Sequence, residues 1–186
     1  VGKGAQVTLQ NSIITTAGKK AAIVLPESGT EEETKLMVES STIFNVGTAN
    51  EPALNVTIPN SITAGDAIVD VSSSIIFGYD HTWDMKVPIG PGFADAILNI
   101  DHSNFPPTAP DTSSGEPNVA DPSNINQDPL FLTPQDLHLA PGSPSIDTGD
   151  PASILAYDFD VLPRPVDGDA DGSALPDQGA FEFRPT

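Results

Sequence analysis

Val7-Thr8-Leu9-Gln10-Asn11-Ser12-Ile13-Ile14 decides the fold, because its apolar and hydroxyl positions return in register three more times. Leu36, Val38, Ser41 and Ile43 occupy the places of Val7, Leu9, Ser12 and Ile14. Val69, Val71, Ser74 and Ile76 follow, and then Leu98, Ile100, Ser103 and Phe105. Leu36 stands 29 residues after Val7, Val69 another 33 on, and Leu98 another 29, a period at which repeats stack as coils. Apolar and polar residues alternate through each unit, which marks a half-buried strand. A second apolar run follows each of the first three, at Ala22 to Leu25, Leu54 to Ile58 and Met85 to Ile89, so each coil carries at least two strands. Val56 to Ile62 also resembles Val7 to Ile13. It starts only 13 residues before Val69, too few for a closed turn, and is read as a second strand.

The expected fold is all-β: a right-handed parallel β-helix, or solenoid, of about four coils over residues 1–105. Like side chains then stack about 4.8 Å apart. Ser12, Ser41, Ser74 and Ser103 form a ladder at one bend, where hydroxyls bond nearby backbone groups. Ile14, Ile43 and Ile76 with Phe105 stack in the core just past it. This pattern resembles the pectate-lyase-like right-handed β-helix superfamily, which holds polysaccharide lyases, glycoside hydrolases and surface adhesins. That resemblance implies a scaffold used by enzymes and passive rods alike.

At 186 residues the chain suffices for one domain, or for a solenoid with an appendage. A net charge of −19 repels phosphate backbones and anionic lipid surfaces, so nucleic acid is excluded and cations are the favoured partners. There is no cysteine, hence neither disulfide nor thiol chemistry, and no transmembrane run. Further coils ahead of Val7, or a second subunit, are expected to cover the first repeat's strand edges.

The loop Phe77-Gly78-Tyr79-Asp80-His81-Thr82-Trp83-Asp84-Met85-Lys86 concentrates the scarce aromatic and basic residues of this region. Tyr79 and Trp83 can offer flat faces to a sugar ring while Asp80, His81, Asp84 and Lys86 bond its hydroxyls. The alternative is that the aromatics pack the loop onto the coil. Lyases of the superfamily neutralise a uronate with calcium or Arg, and residues 1–105 contain no Arg. A glycosidase needs two convergent carboxylates, for which Asp70, Asp80, Asp84, Asp95 and Asp101 are available. His102 and His138 are read as outward-facing, and Glu31-Glu32-Glu33 as a solvated loop. Asn55-Val56-Thr57 has the form of a glycosylation acceptor inside a strand.

Proline is unevenly spread: residues 1–105 hold 5 and residues 106–186 hold 14. Residues 106–125, rich in Pro and Ser, read as a connector that does not continue the strand stack. Residues 126–186 form an acidic closing module. Its ordered elements are Asp128-Pro129-Leu130-Phe131, Gly142-Ser143-Pro144-Ser145-Ile146-Asp147-Thr148-Gly149, Arg164-Pro165 and Asp177-Gln178-Gly179-Ala180-Phe181-Glu182. These resemble the C-terminal module of choice-of-anchor Q surface proteins. The resemblance implies a secreted or cell-surface location and a segment that packs on or beside the last coil and closes the solenoid. Asp167, Asp169 and Asp171 alternate before Gly172 as in a calcium loop, with Asp177 as a further candidate ligand, so Ca2+ is expected in a loop-built site. Arg164 is expected in a structural ion pair with one or more of Asp147, Asp158, Asp160 and Glu182. Together these point to the C-terminal part of an extracellular structural, adhesive or glycan-contacting protein. The alternatives are part of a polysaccharide-degrading enzyme and a self-assembling subunit.

Overall fold

The computed structural model describes residues 4–25, 32–47, 51–59, 65–88, 93–106 and 116–185. Expected features at Glu31, Asn60 to Ile62, Ile89 and residues 107–115 lie outside them. The chain is all-β, and three of its sheets are parallel.

The first sheet joins β1 (Gln6–Gln10), β4 (Thr34–Glu39), β7 (Ala67–Ser72), β10 (Ala96–Asp101) and β11 (Glu116–Asn118). The second joins β2 (Ile13–Thr16), β5 (Thr42–Asn45) and β8 (Ile75–Phe77). The third joins β3 (Ala22–Val24), β6 (Leu54–Thr57) and β9 (Trp83–Lys86). The chain therefore visits the three sheets in the same order three times. Register follows the sequence repeat: Val7 pairs with Leu36, Leu36 with Val69 and Val69 with Leu98. Ile14, Ile43 and Ile76 align in the same way. Val56 lies between Val24 and Met85, so Leu54–Thr57 belongs to the third sheet and starts no new repeat.

The eight-residue unit is two strands, divided by a residue in the left-handed region: Asn11, Ser40, Ser73 and His102 have φ between 42 and 47°. The next residue is always the ladder serine. Each of Ser12, Ser41, Ser74 and Ser103 donates its hydroxyl to the carbonyl two residues back, at 2.7–2.8 Å. The Ser12, Ser41 and Ser74 N–H groups each donate to the serine Oγ of the next repeat at 3.1 Å, and Ser103 N–H donates to Asn124 Oδ1 at 3.0 Å. The bend thus satisfies its own polar groups while it turns the chain from one sheet to the next.

Inward side chains of all three sheets share one core, with Leu36, Val69, Leu98, Ile43, Ile76, Leu54 and Met85 at most 2 % exposed. The second sheet is buried on its other face too. Phe44, Ile75 and Phe77 point outward and meet Leu137, Leu139, Ala180 and Phe181 of the C-terminal segment. Burial on both faces explains the consecutive apolar pairs Ile13-Ile14, Ile43-Phe44 and Ile75-Ile76.

The acidic segment therefore lies along the flank of the repeats. Gly179 N–H donates to Ser73 O at 2.8 Å and Ala180 N–H to Thr42 Oγ1 at 3.0 Å. Asn11 Nδ2 reaches Tyr157 O at 2.6 Å, and Ser153 Oγ reaches Glu39 at 3.0 Å. Gly179, at φ 94°, has no room for a side chain, since a Cβ would meet Ile75 Cδ1 and Thr42 Oγ1 at 2.9 Å. The segment also lies beside the fourth repeat, where Asn104 Nδ2 donates to Ser145 Oγ at 3.0 Å. The β10 edge is paired by β11, and Ile125 bridges Asn104, so residues 116–125 do extend the stack despite their prolines. Pro117 fits because β11 bonds along its β10 side only, as an edge strand permits.

Candidate functional site

The residues proposed for sugar contact are split by the core. Trp83 is 5 % exposed and meets Phe105 edge-on at 6.0 Å, while Tyr79 is buried with its hydroxyl 2.7 Å from Thr16 Oγ1. Burial pushes the Tyr79 phenol pKa up, against the bond from Thr16. Neither ring offers a face to a ligand, because few aromatics serve this chain and these two fill its interior. His81 links to Asp84 at 2.8 Å and to Asp80 at 3.4 Å, and Lys86 is exposed at the end of β9. What remains of the expected site is a charged surface turn.

The four candidate calcium ligands also separate. Asp167 and Asp169 lie with Asp147, each offering an oxygen within 4.8 Å of the others. Asp171 instead accepts Ser173 N–H at 2.8 Å. Asp177 is fully buried and accepts N–H groups from Asp147 and Phe183. Asp147 takes the place given to Asp171 and Asp177, although it stands 20 residues before Asp167. It also organises the loop, since its oxygens accept N–H groups from Gly168, Asp169 and Leu175 at 2.8–3.1 Å. Asp167 Oδ1 is buried without a hydrogen-bond partner.

Of the acids considered for Arg164, Glu182 is the one it meets. Arg164 Nε lies 2.6 Å from Glu182 Oε1, and both side chains are 0 % exposed. Its other nitrogens donate to Asn11 Oδ1 at 3.2 Å and Gly179 O at 3.0 Å. Asp158 instead accepts N–H groups from Leu162 and Glu182 and lies 3.7 Å from Arg184, while Asp160 faces His138. Burial raises the Glu182 pKa against the attraction of Arg164. Asp177 is pushed up to about 8, by burial first and then by the nearby Glu182 charge, against its two N–H donors.

A concave surface lies where the C-terminal segment meets the repeats. The hairpin of β12 (Phe131–Thr133) and β13 (Asp136–Leu139) is held by Phe131, whose ring meets Phe44 and Phe77 edge-on at 5.6 and 6.3 Å. His138 projects from this hairpin and stacks on Phe181 at 3.8 Å. Its Nδ1 lies 2.5 Å from Asp136 and its Nε2 2.9 Å from Asp160. Burial disfavours the imidazolium, the two carboxylates favour it, and the net pKa is raised. Beside His138 runs a groove of about 700 Å³. Ile13, Thr15 and Val46 of the repeats line it together with Gln135, Asp136, Phe159 and Asp160 of the C-terminal segment. His138 also lines a hollow of about 330 Å³ with Leu132, Leu139, Leu162 and Arg184.

Phe159 is 47 % exposed and meets Phe181 edge-on at 5.4 Å. The groove therefore combines an open aromatic face with carboxylate and amide acceptors, a set suited to holding a polyhydroxylated ligand. Asp136 and Asp160 bracket the imidazole of His138, which fills the space between the two carboxylates. Sequence reading missed this groove because its members come from residues 13–46, 134–138 and 159–181; the alternation around Phe159 was the available signal. Among the described residues, no helix is long and apolar enough to cross a membrane. No family model, curated protein or solved structure matches this chain.

Proposed function

We propose that the chain is part of a secreted or cell-surface right-handed parallel β-helix protein with a structural or adhesive role, and that it contacts glycan in the groove beside His138. Three parallel sheets visited in constant order around one core support the β-helix, and the hand follows from the usual chirality of parallel crossovers. The observation that carries the function is the groove itself, lined by the exposed Phe159 together with Asp136, Asp160 and Gln135. Its acids and the net charge of −19 favour neutral or amino sugars over uronates. A glycan array is expected to show such binding without release of reducing ends or unsaturated products, and Phe159→Ala is expected to weaken it about tenfold, or about 1.4 kcal/mol. Uronate preference with product release would instead make the protein a polysaccharide-degrading enzyme.

Calcium stabilisation belongs to the same proposal, with Asp147, Asp167 and Asp169 as ligands. Three oxygens within 4.8 Å and the unpartnered Asp167 Oδ1 fit a hard cation. Added Ca2+ is expected to raise the melting temperature of wild type and not of Asp167→Asn; identical melts with Ca2+ and with chelator remove the metal.

A second reading is favoured by the first repeat. Val7, Leu9 and Ile14 are only partly buried, whereas their partners Leu36, Val38 and Ile43 are at most 2 % exposed. A further coil or a second subunit over this end would bury them. Light scattering that stays monomeric at rising concentration counts against the second subunit.

A further inference from the structure

The left-handed bend that carries Asn11, Ser40 and Ser73 in the first three repeats carries His102 in the fourth. Asp101 precedes it as the last residue of β10. Asp150 arrives from the C-terminal segment, where its N–H donates to Ser73 Oγ at 2.7 Å, one repeat from His102. His102 is fixed by its own N–H, which donates to Ser123 Oγ at 2.8 Å. An imidazole nitrogen and one oxygen from each carboxylate lie within 4.8 Å of one another, and all three residues are half-buried.

We infer that Asp101, His102 and Asp150 form a binding site for a borderline divalent cation of the zinc type, which fastens the C-terminal segment to the fourth bend. The two carboxylates supply the charge that neutralises the ion. The imidazole selects zinc over calcium, which takes oxygen ligands. Three protein donors leave a position for water, as zinc sites outside purely structural ones do. The site is chemically unlike the all-carboxylate group of Asp147, Asp167 and Asp169, where Asp147 already accepts three backbone N–H groups.

The test is calorimetric titration of the full chain with ZnCl2, together with thermal melts. One zinc ion is expected to bind and to raise the melting temperature. His102→Asn keeps the bend, since Asn11 adopts the same conformation at φ 44°. This variant and Asp150→Asn are expected to weaken zinc binding roughly tenfold or more. His138→Asn and Asp167→Asn are expected to leave it unchanged, and excess CaCl2 is not expected to displace the zinc. No zinc binding by wild type, or equal binding by His102→Asn with an unaltered apo melt, overturns the assignment. Loss of zinc binding in Asp167→Asn would move the site to the other acidic group and overturns it as well.

Discussion

Replacing Arg164 with Ala is expected to destabilise the protein by about 3–5 kcal/mol, because the change leaves Glu182 as a buried charge without its partner. For a chain of this size that lowers the melting temperature by roughly 10 °C. The damage is directional. Arg164 ties Glu182, Gly179 O and Asn11 together, and so joins the closing segment to itself and to the first repeat. Limited proteolysis of Arg164→Ala is expected to cut within residues 126–185 first. Arg164→Lys should recover little, since an ammonium cannot reproduce a planar fork that serves three acceptors. The double variant Arg164→Met with Glu182→Met is expected to be more stable than Arg164→Ala, because it removes the stranded carboxylate. An unchanged melt and digestion pattern for Arg164→Ala would show that the pair does not hold the segment.

Asp177 supplies the second large effect, and it runs against the usual acid sensitivity of proteins. Its carboxyl is held at about 8 in the folded chain, against 3.8 for the ordinary group. At pH below the ordinary value both states carry the proton, and the native state is at its most favoured with respect to this group. Between there and about 8 the unfolded chain has released the proton while the folded chain still holds it, so stability falls as pH rises. The slope is on the order of 1.4 kcal/mol for each pH unit while that difference persists. Glu182 is displaced in the same direction and adds to it. The melting temperature is therefore expected to decline from pH 5 to about pH 8, and Asp177→Asn to flatten that decline. Observation of the Asp177 carboxyl carbon by NMR gives a direct check; titration near the ordinary value would remove the effect.

The repeat register was fully legible, because side chains that stack in one core must recur with the strands that carry them. Val7, Leu36, Val69 and Leu98 could be aligned by eye, and they pair in the structure. The serine ladder marked the bend in each unit, but not that the preceding residue, Asn11, Ser40, Ser73 or His102, makes it, since a single left-handed residue leaves no periodicity behind. Docking of the closing segment was hidden for a different reason. An apolar pair such as Ile43-Phe44 looks the same whether its second member faces solvent or a partner. Trp83 and Tyr79 allowed two readings, a sugar-contacting face or packing of the loop onto the coil, and their burial agrees with the packing. Asp177 was read as a ligand from its neighbours in sequence. Its surroundings are set by Gly179 and Ala180, which press the segment against Ser73 and Thr42 and carry the carboxylate out of water.

The serine column has a direction. Each N–H in it points toward the next repeat, the last ends on the Asn124 side chain, and the first repeat presents Ser12 Oγ with no such donor described above it. A coil placed in line before it would donate an N–H to this oxygen, as Ser12 N–H donates to Ser41 Oγ. Two copies meeting through the same end would set acceptor against acceptor at the two-fold axis, whereas a head-to-tail neighbour meets it with a donor. A head-to-tail neighbour would therefore continue the column, and a two-fold pair through that end would interrupt it.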